Sequence, residues 1–270
     1  MSVQTSTPSA WRRLVRAPLA RAVALLGAAC LVLMPPAQAQ GAAGGAFDAG
    51  TAAVVGSGRM ASQTRAIPTF EAVTVNGPIN AVLRPGLPDT LTLRADDNLL
   101  SLLETRVVTR GAVPILEIGP RPGSSFTTRS EISVAVGFAT LRSVALTGTG
   151  GVEVHAARLP SLSVMVQGSG SARLLDASID ALSVSIAGSG SLQVDGRAER
   201  LSVELAGSGD LDAARLDAGA VAVSIVGSGN ASVNARSALS VSIAGSGDVI
   251  QRGAAVPRTS IAGSGSVRRH

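Results

Sequence analysis

Seven motifs of the form Gly-Ser/Thr-Gly are the residues of this chain whose type and spacing first suggest chemistry. Glycine-rich loops cradle phosphates, and the hydroxyls between the glycines are candidate ligands or nucleophiles. The motifs begin at Gly148, Gly168, Gly188, Gly207, Gly227, Gly245 and Gly263, the first being Gly-Thr-Gly and the rest Gly-Ser-Gly. A phosphate loop needs a lysine after its glycines, and the chain has no lysine at all. A dinucleotide fingerprint needs a helix after the turn, whereas alternating polar and apolar residues of strand type follow here. Calcium-binding nonapeptide repeats need aspartate in much shorter units. No cofactor is therefore expected at the glycines.

Three positions after the first glycine of each turn stand Gly151, Ser171, Ser191, Asp210, Asn230, Asp248 and Ser266. Stacked turns would place Asp210, Asn230 and Asp248 in adjacent coils, with the amide separating two carboxylates. Asp and Asn after glycine are ordinary turn residues that satisfy local backbone donors. The functional alternative is a weak site for a cation or a hydroxylated ligand, although calcium takes about six to eight oxygens, more than this column supplies alone. No metal site is assigned, and the column is the weak polar candidate. His155 and His270 are the only histidines. A nucleophilic serine needs a positioned base, and His155, in Val-Glu-Val-His, is read as a structural or solvated residue beside a strand end. Tyrosine is absent, and the single Trp and single Cys are Trp11 and Cys30, so no aromatic platform for sugars and no thiolate ligand is expected beyond residue 39. No catalytic residue is assigned, and the chain is not expected to be an enzyme.

Elements of matching regularity must hold such turns. The first glycines recur at intervals of 20, 20, 19, 20, 18 and 18 residues, a repeat. Before the turns, apolar residues alternate: Leu162/Val164/Val166, Leu182/Val184/Ile186, Leu201/Val203/Leu205, Val221/Val223/Ile225 and Leu239/Val241/Ile243. After them come Val152/Val154, Leu192/Val194 and Ala231/Val233. Alternation of this kind is a strand with one face inside, and a two-strand repeat closes a core only by stacking on its neighbours. The expected fold is all-β, a right-handed parallel β-helix or solenoid with coils of about 18–20 residues and Gly-Ser-Gly corners. Upstream, "FEAVTVNGPINAVLRPG" (70–86) and "DTLTLRA" (89–95) read as strands, 98–107 fits either a short helix or a buried strand, and 119–131 is the longest irregular connection. Pro257, where other coils have leucine, and Arg268-Arg269 predict a terminal coil that blunts its own edge.

Arg12, Arg13, Arg16 and Arg21 precede an apolar run over 22–34, then Pro35-Pro36 and Ala37-Gln38-Ala39. This order predicts a secretory signal peptide over 1–39, a flexible Gly/Ala-rich leader over 40–53 and a single solenoid domain over 54–270. The apolar run is short for a membrane span, and no span is expected after cleavage. Of the 23 basic residues, the four arginines leave with the signal, so 19 face 18 acids. A near-neutral chain without a basic cluster or stacking aromatics excludes a nucleic-acid partner.

The stretches "VVGSGRM…FEAVTVNGPINAVLRPG" (54–86) and "LTLRADDNLLSLLETRV" (91–107), with the serial "AGSGD/S" turns, resemble the auto-transporter adhesin head GIN domain. The resemblance spans about residues 54–270. It implies a right-handed β-helix and an envelope or surface location, and it carries no catalytic residues. The expected function is an exported, non-enzymatic envelope or surface module for adhesion or interaction, its ligand an envelope or surface protein or glycan. The location is periplasmic or extracellular in a bacterium, and homo-oligomers are left open. The alternatives are a structural or stress-related periplasmic protein, or, by fold analogy alone, a polysaccharide-active enzyme.

Overall fold

The computed structural model describes residues 53–86, 90–155 and 158–270. The expected signal peptide over 1–39 and all but the last residue of the expected leader over 40–53 lie outside the described residues. The described elements are strands, apart from one 3-10 turn at Leu100–Leu102.

The expected repeat is a stack of parallel coils. Ser171–Gly188, Ser191–Gly207, Asp210–Gly227 and Asn230–Gly245 each form one coil between Gly-Ser-Gly corners. Equivalent residues pair from coil to coil: Leu182, Leu201, Val221 and Leu239 form one rung series, and Gly188, Gly207, Gly227 and Gly245 another. All the alternating aliphatics named above are buried and belong to one continuous core.

Each coil has three inward runs rather than the two visible in the alternation. In Ser171–Gly188 they are Ala172/Leu174, Ala177/Ile179 and Leu182/Val184/Ile186. Alternation slips by one residue between the runs, because a strand can turn a corner and keep its aliphatics inside only by breaking the two-residue period. The slips are also where coils of unequal length are reconciled. Register shifts fall at the first slip between Leu174 and Ala177, between Gln193 and Asp195 and between Ala213 and Asp217, and at the second between Ala218 and Ala220. Asp176, at this corner, has φ 53°, a left-handed conformation that Asp tolerates better than most residues.

Upstream of Ser143 the coil is interleaved. Ala72–Asn76 and Ile79–Pro85 form a coil whose turn at Gly77 stacks directly beneath Gly148: the Gly77 N–H donates to Thr147 O, and Gly77 O accepts from the Gly150 N–H. The next layer outward is Val113–Pro120 on one side and Ile132–Phe138 on the other. The chain thus lays down an inner coil, leaves it to build the outer one, and returns. Antiparallel pairs finish this end, with Leu103–Arg110 on Val113–Pro120 and Thr90–Asp96 between Met60–Ala66 and Ile132–Phe138. The ambiguous 98–107 segment becomes the 3-10 turn followed by the strand Leu103–Arg110. The 119–131 connection contains the short strand Phe126–Thr127, which pairs in parallel with Val54–Val55.

The opposite end is the coil Pro257–Gly263 and Ser266–Arg269. Pro257 pairs opposite Leu239, the place expected of a terminal coil. No further described coil covers its inward row, and Ile261 is 42% exposed whereas its equivalent Ile243 is 1% exposed.

Candidate functional site

The corners show what the glycines do. Gly227 has φ 127°, a backbone state that side chains other than glycine resist. A Cβ there would lie 2.3 Å from Gly207 O, and one on Gly229 2.3 Å from Gly209 O. The first glycine is thus required by both conformation and stacking, the second by stacking. The corner N–H groups point along the stack: Ser189, Ser208, Ser228, Ser246 and Ser264 each donate to a glycine carbonyl one coil down, at 2.8–2.9 Å. The intervening hydroxyls form an exposed column.

The predicted polar column is assembled. Asp210 Oδ1 accepts from the backbone N–H of Asn230 at 3.2 Å and from its Nδ2 at 3.0 Å. Asn230 Oδ1 accepts from the Asp248 N–H at 3.2 Å, and Asp248 Oδ1 from Ser266 N–H at 2.9 Å and its hydroxyl at 2.7 Å. The donors belong to the next coil rather than to the residue's own turn. The Ser266 hydroxyl, then its N–H and the charge of Arg268, hold the Asp248 carboxyl below the usual carboxylate range against a smaller effect of burial. Among the described residues, no group of three or more His, Cys, Asp or Glu side chains could hold a metal ion. His155 sits at the end of the strand Gly151–His155, with Nε2 2.6 Å from Glu153 Oε1.

A second cluster was not singled out from the sequence. Gly56-Ser57-Gly58 falls outside the period and lacks the alternating aliphatics before it. It forms a strap across Asp96, Asp97 and Asn98: Ser57 Oγ donates to Asp97 Oδ1 at 2.5 Å, Ser57 N–H to Asn98 Oδ1 at 3.0 Å, and Asn98 Nδ2 to Val55 O at 2.8 Å. Asp96 is 1% exposed and its Oδ2 accepts from the Thr128 hydroxyl at 2.6 Å. Bonds from Thr128 first, then from Ser130 and the Gly58 N–H, keep its carboxyl below the ordinary range although burial pushes the other way. Gly56 lies on this carboxylate, for a Cβ there would overlap Asp96 Oδ2. The only sequence signal was the extra Gly-Ser-Gly itself, followed 38 residues later by the run Asp96-Asp97-Asn98. The cluster fastens the first described segment to the interleaved end.

The three sides of the solenoid differ chemically. The side leading to each Gly-Ser-Gly carries outward columns such as Ser163/Ser183/Ser202/Ala222/Ser240 and Met165/Ser185/Glu204/Ser224/Ser242. The middle side carries charge, with Asp217 3.3 Å from Arg236 and 3.9 Å from Arg197, and Glu199 3.8 Å from Arg236. A crease of about 470 Å³ runs along the edge between them, floored by Leu162, Leu182, Leu201 and Val221 and flanked by Arg142 and Arg200. Among the described residues, no helix is long and apolar enough to cross a membrane.

Parallel in-register coils, glycine corners and a row of inward aliphatics define a β-solenoid protein that presents flat, side-chain-columned faces. The chain belongs to the family described as "Putative auto-transporter adhesin, head GIN domain", whose model matches residues 69–255. Among the solved structures that share the fold are three from Bacteroides and Parabacteroides. A "putative adhesin" from Bacteroides fragilis is 18% identical with a TM-score of 0.71, over 80% of this chain and 100% of its own. A "putative lipid binding protein" from Parabacteroides distasonis is 23% identical with a TM-score of 0.66, over 80% and 99%. A "putative adhesin" from Parabacteroides merdae is 19% identical with a TM-score of 0.60, over 80% and 98%. No curated protein matches the chain.

Proposed function

We propose that the chain is an exported, non-enzymatic interaction module of the bacterial envelope or cell surface, which holds an envelope or surface protein or glycan against the side leading to the Gly-Ser-Gly corners. The observation that carries this reading is the uniformity of that side. From Ser143–Gly148 to Pro257–Gly263 its outward residues are mainly Ser and Ala, with Glu204 and Arg258 the only charged ones. Six strand spacings make it about 30 Å long. A flat, nearly uncharged surface of that length suits an extended ligand whose groups repeat, because most coils offer a serine hydroxyl at the same place, as at Ser143, Ser163, Ser183, Ser202 and Ser240. Family membership supports an adhesion role, and the N-terminal sequence supports export.

The test is attachment of cells lacking the gene to the surfaces that wild-type cells colonise, with complementation by the wild type and by a Ser185→Arg/Ser224→Arg variant. Both substitutions lie on exposed or half-buried outward positions, so the coil should stay folded, as circular dichroism would verify. The expected result is lost attachment, restored by the wild type and not by the variant. Unchanged attachment on deletion, or full rescue by the variant, overturns the proposal.

A further inference from the structure

One end of the solenoid is finished by antiparallel strands, whereas the last described coil shows its inward row to solvent. From residue 248 onward the chain carries Arg252, Arg258, Arg268 and Arg269 against a single acidic side chain, Asp248. That carboxylate is already engaged by Ser266. On the middle side of the stack Arg197, Arg215 and Arg236 sit opposite acids. At this end the only polar contacts of the guanidinium groups among the described residues are Arg268 Nε to Ser266 Oγ at 3.2 Å and Arg269 Nη2 to Gly253 O at 3.0 Å. Arg268 acts on Asp248 through its charge, and with four arginines to one acid positive charge remains in excess at this end.

Apolar side chains are exposed in the same two coils: Val256 is 78%, Ile261 42% and Ile250 38% exposed. A partner adding a strand is poorly served here. Pro257 lacks an N–H at the start of the edge strand, and Thr259 replaces the valine of the coil below, Val241. Arg258 adds a charge along the same edge. What these devices leave is a cationic end with aliphatic side chains among its arginines, the combination that binds an anionic bilayer surface by charge attraction and shallow apolar contact.

We infer that the open end, built from Arg252, Val256, Arg258, Ile261, Arg268 and Arg269, docks on the surface of a bilayer containing anionic lipid. The solenoid then stands away from the bilayer with its long sides free. This inference is independent of the adhesion reading, since of these residues only Arg258 lies on the side assigned to the ligand and the variants of the two tests share no residue.

Protein purified after export is tested by co-sedimentation with vesicles of phosphatidylcholine alone and of phosphatidylcholine with about one third phosphatidylglycerol. Three variants are compared: Arg252→Ser/Arg258→Ser/Arg268→Ser at the end, Val256→Ser/Ile261→Ser at the end, and Arg158→Ser/Arg173→Ser/Arg200→Ser on the sides as a charge-matched control. The expected result is binding to the anionic vesicles only, weakened at least ten-fold by the end arginine variant and measurably by the aliphatic one. The control variant should bind as the wild type does, and raised salt should release all bound protein. No binding to anionic vesicles overturns the inference, as does equal loss in the control, which would make net charge the cause. Concentration-dependent self-association abolished by Val256→Ser/Ile261→Ser would also overturn it, in favour of a second copy at the end.

Discussion

At the scale of single residues, position within the coil decides how much a side chain matters. Gly227→Ala puts a Cβ into a left-handed backbone and against Gly207 O, combining backbone strain with overpacking; a loss of about 3 kcal/mol or more is expected in chemical denaturation. Ser228, the next residue, has an exposed position, and Ser228→Ala should change stability by about 0.5 kcal/mol or less. Similar losses for the two would show that the corner relaxes. Asp96 predicts a pH effect with a definite sign. Its carboxyl is held below the unfolded value, so its contribution is fully present above the unfolded value, about 3.9, and is lost as pH falls through the lower folded one. Wild-type stability should therefore fall more steeply than that of Asp96→Asn below about pH 4, as read by urea midpoints. Parallel curves would remove the carboxylate from the acid transition. For the Asp210, Asn230 and Asp248 column, one oxygen of each side chain is already spent on the next coil. Calorimetric titration with calcium should give equal heats for the wild type and Asp210→Ser/Asp248→Ser, and a heat confined to the wild type would make the column a cation site.

At the scale of elements, two of the three runs in each coil were legible because they carry Leu, Val and Ile at strict alternation. The middle run was not, for two physical reasons. It is short, and in several coils its inward places fall to alanine, as at Ala198, Ala218 and Ala235, which alternation cannot tell from outward small residues. The slip at each corner also breaks the period on which the reading depends. The interleaved end was hidden for another reason: Gly77 stacks under Gly148 across 70 residues of intervening chain, and no local pattern reports a pairing of that range. The candidate column could be read from sequence because equal spacing implies stacking, whereas the Asp96 cluster joins three separate segments and has no period. The middle run is tested by Leu216→Ala. Leu216 is fully buried, and its truncation should cost about 2–5 kcal/mol; a loss under about 1 kcal/mol would mean that this side of the coil is loosely packed. Val203→Asp, also buried, buries a charge without a partner and should prevent folding. Ser202→Asp, on the outward position beside it, should be tolerated, as soluble yield and circular dichroism would report.

At the scale of the whole molecule, stability should be graded along the stack. Each regular coil touches only the coils above and below it, so its contribution is close to a nearest-neighbour sum. Among the described residues the last coil has one neighbouring coil and an exposed inward row, and it opens at the least cost. The interleaved end is constrained differently. The coil 72–85 lies between the outer layer 113–138 and the coil 143–155, and the outer layer is itself tied down by antiparallel pairs. Opening any part of it breaks pairings between distant segments together, so the coil should exchange its amides only in near-global unfolding. Native-state hydrogen exchange is expected to show protection rising from 257–269 through 239–245 toward the middle coils and to stay high at 72–76 and 79–83. Uniform protection along the stack would show that the solenoid unfolds as a single unit, and weak protection at 72–83 would show that the interleaved layers do not lock that end.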